Sequence, residues 1–130
     1  MKYSGTLVCV DEESKLEELQ FLSDIKGEVT IVTSRPEILE KIIDSSFESV
    51  IYYQDELSLI EADFSRIAKV VIYGESFMVI QRYARTLKIL VNVPIVVITN
   101  NKQYPTDVYK KLGVKVVIFS QSPTIGQFVV

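Results

Sequence analysis

The amino-acid sequence predicts a doubly wound α/β fold with six parallel strands, and three observations carry that prediction. Six short runs rich in β-branched and aromatic residues recur along the chain. They are apolar at consecutive positions rather than alternating ones, and they begin at residues 7, 29, 50, 70, 95 and 116, which are 20 to 25 residues apart. Consecutive apolar positions suit strands covered on both faces, as in a parallel sheet. The spacing holds one strand, one turn and one crossover helix of two to four turns. A leucine-rich solenoid has a similar period, but its Leu-x-x-Leu-x-Leu pattern is missing. Right-handed crossovers and two three-strand halves then give the strand order 3-2-1-4-5-6 of a Rossmann-like sheet. The 130 residues contain no linker or low-complexity tract, so residues 1–130 form a single domain.

Each element has a local reason. Leu7-Val8-Cys9-Val10 is the first strand. Ser14 to Ile25 reads as a helix with Leu16, Leu19, Phe21, Leu22 and Ile25 near one face. Its glutamates stand early, where the helix dipole favours them, and Gly27 is placed to end it. The second strand is Val29-Thr30-Ile31-Val32. Ser34-Arg35-Pro36-Glu37 then signals a helix start: a capping serine, a proline in the first turn and a glutamate three residues after the serine. Val50-Ile51-Tyr52-Tyr53 and Val70-Val71-Ile72-Tyr73 are the third and fourth strands. Glu75 to Leu90 is the longest helix, with Val79, Ile80, Tyr83, Ala84 and Leu87 as its apolar stripe, and Ser76 is a candidate cap. Pro94 opens the fifth strand, Ile95-Val96-Val97-Ile98, where a missing N–H is tolerated. A short helix from Thr106 to Leu112 ends at Gly113, and Val116-Val117-Ile118-Phe119 is the sixth strand.

Composition narrows the function. An apolar fraction of 48% excludes a disordered chain. No apolar run approaches a membrane span, and the first five residues lead into no signal-peptide core, so direct membrane insertion is not expected. A lone cysteine, Cys9, makes no internal disulfide, which points to a cytoplasmic setting. The chain has no histidine, which removes most general-base triads and the Cys/His zinc sites, and a non-enzymatic role is expected. Residues 1–65 hold five Lys/Arg against fifteen Asp/Glu, whereas residues 66–130 hold nine against two. This is not the basic footprint of a nucleic-acid binder. One reading is that acidic and basic helices face solvent on different sides. The other is a polar molecule that self-associates, acidic surface to basic surface.

The strand order places a ligand crevice outside the carboxyl ends of strands 1 and 4. A dinucleotide site there wants Gly-x-Gly-x-x-Gly after the first strand. This chain has Val10-Asp11-Glu12-Glu13-Ser14, with three carboxylates where two phosphates would sit. Like charges at about 4 Å cost on the order of 1–4 kcal/mol per pair, so pyrophosphate binding in the usual mode is disfavoured. After the second strand stands Thr33-Ser34-Arg35, where Arg35 either holds a phosphate or pairs with the acidic first helix. Gln54-Asp55-Glu56 follows the third strand, and Gly74-Glu75 the fourth. The candidate crevice residues are therefore Asp11, Glu12, Ser34, Arg35, Asp55, Gly74 and Glu75. Asp11, Glu12, Asp55 and Glu75 are also a possible oxygen set for a divalent cation, although the dipole alone explains carboxylates at helix starts. No catalytic residue, resident cofactor or metal site is expected. Tyr52, Tyr53 and Tyr73 at strand ends are expected to pack in the core.

Asp11-Glu12 after a first strand resembles the acidic pair of response-regulator receivers, and Thr99 stands where receivers carry a switch hydroxyl. Tyr73-Gly74 replaces their phospho-accepting aspartate, and Gln121-Ser122-Pro123 replaces their lysine before proline. A wider resemblance runs from Gly5 to Val130. It is carried by Asp55 and the stretch through Ala62 and Ala68 into the fourth strand, the long helix, the Leu112-Gly113 turn and the closing Ser120–Val130 segment. In order and spacing these resemble the N-terminal domain of RCK/TrkA-type regulators of potassium channels and transporters. The resemblance implies the fold and a regulatory lineage that assembles. It implies a homodimer through the later helices and the Pro123–Val130 tail, with Ile125, Phe128, Val129 and Val130 at the interface, and a channel or transporter membrane subunit as partner. The family's glycine loop is here Asp11-Glu12-Glu13-Ser14, its ribose-binding acid is Ser34, and Asp55 alone matches among its nucleotide-site positions. Calcium-gated members carry acids after strand 5, where this chain has Thr99-Asn100-Asn101. The leading expectation is a non-enzymatic regulatory or assembly domain. The alternatives are a sensor for another nucleotide or a divalent cation in the crevice, and a degenerate receiver-like domain.

Overall fold

The computed structural model describes residues 5–12, 15, 29–43, 49–55, 58–59 and 64–119. The expected helix over Ser14–Ile25 and the Pro123–Val130 tail, with Ile125, Phe128, Val129 and Val130, lie outside the described residues. In chain order the elements are β1 (Gly5–Val10), β2 (Val29–Thr33), α1 (Pro36–Ile43), β3 (Ser49–Tyr52), β4 (Ile67–Tyr73), α2 (Phe77–Leu90), β5 (Ile95–Thr99), α3 (Thr106–Lys111) and β6 (Val116–Phe119). The strands form one sheet in the order β3-β2-β1-β4-β5-β6, and every neighbouring pair is parallel. The expected topology is therefore the observed one.

Alternate residues of the central strands face opposite layers. Leu7, Cys9, Val32, Val70, Ile72 and Val97 point to one side, where Ile80, Tyr83, Ala84 and Leu87 of α2 and Tyr109 of α3 cover them. Val8, Val10, Ile31, Val71, Tyr73 and Ile98 point to the other, where Ile38 and Ile42 of α1 pack. Every residue of β1 is buried, because the strand has neighbours on both edges and is covered above and below. This is why its sequence is a continuous apolar run.

Several boundaries differ from the sequence reading. Pro94 precedes β5, and its carbonyl accepts from the Val70 amide at 2.9 Å. Tyr53 leaves β3 by one residue and is buried at the core edge. The long helix begins at Phe77, not Glu75, with Ser76 as the N-cap accepting from the Val79 amide at 3.4 Å. Ser34 is not the cap of α1: the first helical amides, Ile38 and Leu39, donate to the Arg35 carbonyl. The Ser34 hydroxyl is drawn away by a carboxylate, described below. Gly113 ends the α3 turn at φ +94°, a backbone conformation that suits glycine. Tyr53 and Tyr73 are buried as expected, and Tyr52 is half-buried.

Candidate functional site

The parallel registers place Val10 beside Tyr73 and, one strand over, Thr33 beside Tyr52. The turns leaving β1, β2 and β4 therefore converge at one end of the sheet, where the strand order reverses. A cleft of about 420 Å³ opens there, lined by Asp11, Glu12, Ser34, Arg35, Gly74 and Arg82 among others. Of the candidate residues, five line this cleft and Glu75 stands beside it. Asp55 does not join them: it is exposed after β3, and its carboxylate accepts from the Ser58 amide at 3.2 Å. No group of three or more metal-ligating side chains occurs among the described residues, so the four-carboxylate cation set is not assembled.

Asp11 is the centre of the site and is 5% exposed. A buried carboxylate needs opposite charge and several donors to stay inside a fold. Asp11 has both. Its Oδ1 accepts from Tyr83 Oη at 2.8 Å, the Ser34 amide at 2.8 Å and Thr33 Oγ1 at 3.1 Å. Its Oδ2 accepts from the Ser34 hydroxyl and lies 3.3 Å from Arg82 Nη2, which also donates to Ser34 Oγ at 3.0 Å. The network ties β1 to the end of β2 and to α2. Burial, followed by the nearby Cys9 and Asp11, pushes the Tyr83 phenol well above its ordinary range, so it remains a donor. Burial likewise raises the Cys9 thiol, with Asp11 adding to the effect.

The acidic first helix, one of the two partners expected for Arg35, lies outside the described residues. Among the described ones, the Arg35 guanidinium pairs with Glu37 in the first turn of α1, with Nε donating at 2.7 Å, and Nη1 reaches the Asp11 carbonyl at 3.4 Å. Glu37 is held below its ordinary range by backbone hydrogen bonding and by Arg35.

A second network closes the β4 side. Glu12 Oε2 accepts from the Glu75 amide at 2.9 Å, and it lies 3.1 Å from where a Cβ on Gly74 would sit. Burial raises the Glu12 carboxyl above its ordinary value, and the Glu75 and Asp11 carboxylates push the same way. Glu75 turns outward from that pair. Its Oε1 meets Lys15 Nζ at 2.9 Å, and its Oε2 accepts from the Asn100 amide at 2.7 Å and Thr99 Oγ1 at 3.4 Å. Asn101 Nδ2 donates to the Glu75 carbonyl at 2.9 Å. The Lys15 ammonium also sits 5.1 Å from the Tyr73 ring centroid. Lys15 and Glu75 thus bridge the turns after β1 and β4, and Asn100 and Asn101 fasten β5 to them.

This arrangement does not fit a dinucleotide bound in the usual way. The turn after β1 presents two described carboxylates and no glycine, and one of them takes the backbone amide that leads into α2. Among the described residues of that turn, an anion meets the Asp11 and Glu12 carboxylates.

Arg82, Tyr83, Thr33 and Lys15 were not legible as site residues. Tyr83 reads as a helix-stripe residue, which it also is, and Arg82 beside it carries no local signal. A buried aspartate at a strand end does demand a cation and donors, and the first turns of the following helices are where to look for them.

No protein-family model and no curated protein matches the chain. Among solved structures, it is similar to the NAD(P)-binding domain of an exopolyphosphatase-related protein from Archaeoglobus fulgidus, with a TM-score of 0.75 and 17% identity over 98% of this chain and 95% of that one. The likeness shows the fold: a Rossmann-like domain. No helix among the described residues is long and apolar enough to cross a membrane.

Proposed function

We propose that this chain is a non-enzymatic regulatory or assembly domain built on a Rossmann-like fold whose dinucleotide site is filled by its own side chains. The observation that carries the reading is the hydrogen bond from the Glu75 amide to Glu12, beside an Asp11 whose two oxygens meet five donor groups. Groups that would meet a pyrophosphate in a glycine-loop domain here hold the sheet ends together. That the structural neighbour is an NAD(P)-binding domain supports descent from a nucleotide-binding fold, and the Asp11-Glu12 turn argues against retained binding in that mode. The resemblance to RCK/TrkA-type regulators supports a role in controlling potassium transport, as a cytoplasmic homo-oligomer attached to a membrane subunit.

Thermal unfolding against NAD, NADH, ATP, ADP, AMP, calcium and magnesium tests the reading. A ligand at about 100 times its Kd adds roughly 2.7 kcal/mol, which is several degrees for a domain of this size. A flat panel is expected. A clear shift with NAD or NADH would overturn the filled-site reading.

A second reading has its own observation. The 420 Å³ cleft keeps the guanidinium groups of Arg35 and Arg82 at its wall, and their side chains are 50% and 47% exposed. A sensor for another anionic nucleotide would use these two groups. A shift with one of the mononucleotides that is lost in Arg82→Gln would favour it.

A further inference from the structure

The cleft of about 420 Å³ stays open beside the filled turn, within the size range of small-molecule sites. Two of its walls are apolar: Cys9 and Ile72 from the sheet, Val79 and Ile80 from α2. Its charged lining residues among those described are Asp11, Glu12, Arg35 and Arg82, two of each sign. The crevice network does not use these four equally. Both oxygens of Asp11 are taken up by donors. All three guanidinium nitrogens of Arg35 are engaged, by Glu37 and by the Asp11 carbonyl. Arg82 and Glu12 are each held at one end only. Arg82 spends Nη2 on Asp11 and Ser34, and its guanidinium carbon lies 5.4 Å from the Tyr53 ring centroid and 5.8 Å from that of Tyr83. These contacts fix the half-exposed group in place, and its Nε and Nη1 have no hydrogen-bond partner among the described residues. Glu12 spends Oε2 on the Glu75 amide, and its Oε1 has no such partner among them. Lys15 offsets the Glu12 charge in part, but its ammonium pairs with Glu75 Oε1 at 2.9 Å. Burial and the neighbouring Glu75 and Asp11 carboxylates raise the Glu12 carboxyl, as they do for a charge with too little compensation.

We infer that the cleft binds a small zwitterion with an apolar body, of the amino-acid class, its carboxylate at the Arg82 guanidinium and its ammonium at Glu12 Oε1. The inference goes beyond the filled-site reading, which closes the turn after β1 to pyrophosphate and leaves the cleft beside it open. Charge decides the class. A mononucleotide brings a dianionic phosphate to Arg82, but into a cleft that already holds Asp11 and Glu12. An amine without an acid group leaves Arg82 unanswered. A zwitterion answers both open groups and adds no net charge to a lining that is already balanced. Its apolar body lies between the sheet wall and the α2 wall.

Isothermal titration calorimetry of the whole chain tests this with leucine and ε-aminocaproate, which hold their two charges close together and far apart. The controls are the analogues that lack one charge: isocaproate and isoamylamine for the first, caproate and hexylamine for the second. At least one zwitterion is expected to bind, about tenfold or more tighter than either of its own analogues, because each analogue leaves one charged group of the cleft unanswered. In Glu12→Gln the preference over the acid analogue should shrink about tenfold while the preference over the amine remains, and in Arg82→Gln the reverse. That reciprocal pattern is one that general loosening of the crevice would not give, and the wild-type comparison decides the matter even where a variant is unstable. No binding of either zwitterion at millimolar concentration, or an analogue that binds as tightly as its zwitterion, would overturn the inference. An acid analogue that does so, together with a response to AMP, would favour the anion sensor in its place. Neither result touches the filled-site reading, which fails on binding of NAD or NADH.

Discussion

Removing the Asp11 carboxylate tests whether the centre of the crevice is structural. In Asp11→Ala the Tyr83 phenol, the Thr33 and Ser34 hydroxyls and the Ser34 amide lose an acceptor, and Arg82 loses its ion pair. Arg82 is 47% exposed and turns to water, but the buried Tyr83 and Thr33 hydroxyls left without this acceptor cost about 1–3 kcal/mol each, a large part of the 5–15 kcal/mol of a typical domain. The melting temperature should fall by about 10–20 °C. Tyr83→Phe isolates one strand of the network. It removes a 2.8 Å hydrogen bond to an ionised acceptor, worth about 1.5–3 kcal/mol, from a fully buried ring. In the Asp11→Ala background the same substitution should cost under about 0.5 kcal/mol, because the phenol has already lost its acceptor. Urea unfolding of the four proteins closes the double-mutant cycle, with a common m-value as the check that the denatured state is unchanged. A coupling of about 1–2.5 kcal/mol is expected. Additive effects within about 0.5 kcal/mol, or an Asp11→Ala cost below about 1 kcal/mol, would refute the argument. Asp11 would then be a carboxylate kept for something other than stability.

Three further substitutions test the β4 side and the α3 turn. Glu12 has a carboxyl raised first by burial, so the folded protein binds its proton more tightly than the unfolded one does. Its contribution is most favourable below the ordinary value of 4.5 and is lost as pH rises through the raised folded value. Glu12→Gln keeps an acceptor for the Glu75 amide and removes that dependence, so the variant should gain on the wild type as pH rises above 4.5. Screening at this half-exposed site holds the gain under about 1 kcal/mol, read by chemical denaturation at each pH. Gly74→Ala sets a methyl 3.1 Å from Glu12 Oε2, and moving that carboxylate off the Glu75 amide should cost about 1 kcal/mol, a loss that disappears in a Glu12→Ala background. Gly113→Ala places a Cβ at φ +94° and 2.7 Å from Lys88 Cδ, and a loss of about 1–2 kcal/mol is expected in the same assay.

The strands were legible because a strand buried on two faces has no polar positions to hide it. β1 is the extreme case, with all six residues buried and an uninterrupted apolar run from residue 7. Strand order followed from handedness and needed no long-range information. Helix ends were less legible where a side chain had a competing partner. Ser34 has every local feature of a cap, but the Asp11 carboxylate is a stronger acceptor for its hydroxyl, and Asp11 is 23 positions away. The misplaced cap and the unrecognised network are therefore the same event, and only the fold that brings β1 beside β2 shows it.

The crevice differs from a glycine-loop site both in what it lacks and in what it holds. Absent glycines are visible in the sequence and argue only that phosphates are unwelcome. That the carboxylates are positively used depends on Arg82, Tyr83, Lys15 and the two asparagines after β5, none of which stands near residue 11 or 12 in the sequence except Lys15. A site that had merely decayed would leave acceptors facing solvent or unpaired inside the protein. Here Asp11, Glu12 and Glu75 each have a donor drawn from another element, and those donors join the turns after β1, β2, β4 and β5. In such a fold a ligand binds outside the carboxyl ends of the strands, where these turns meet, and here side chains hold them together.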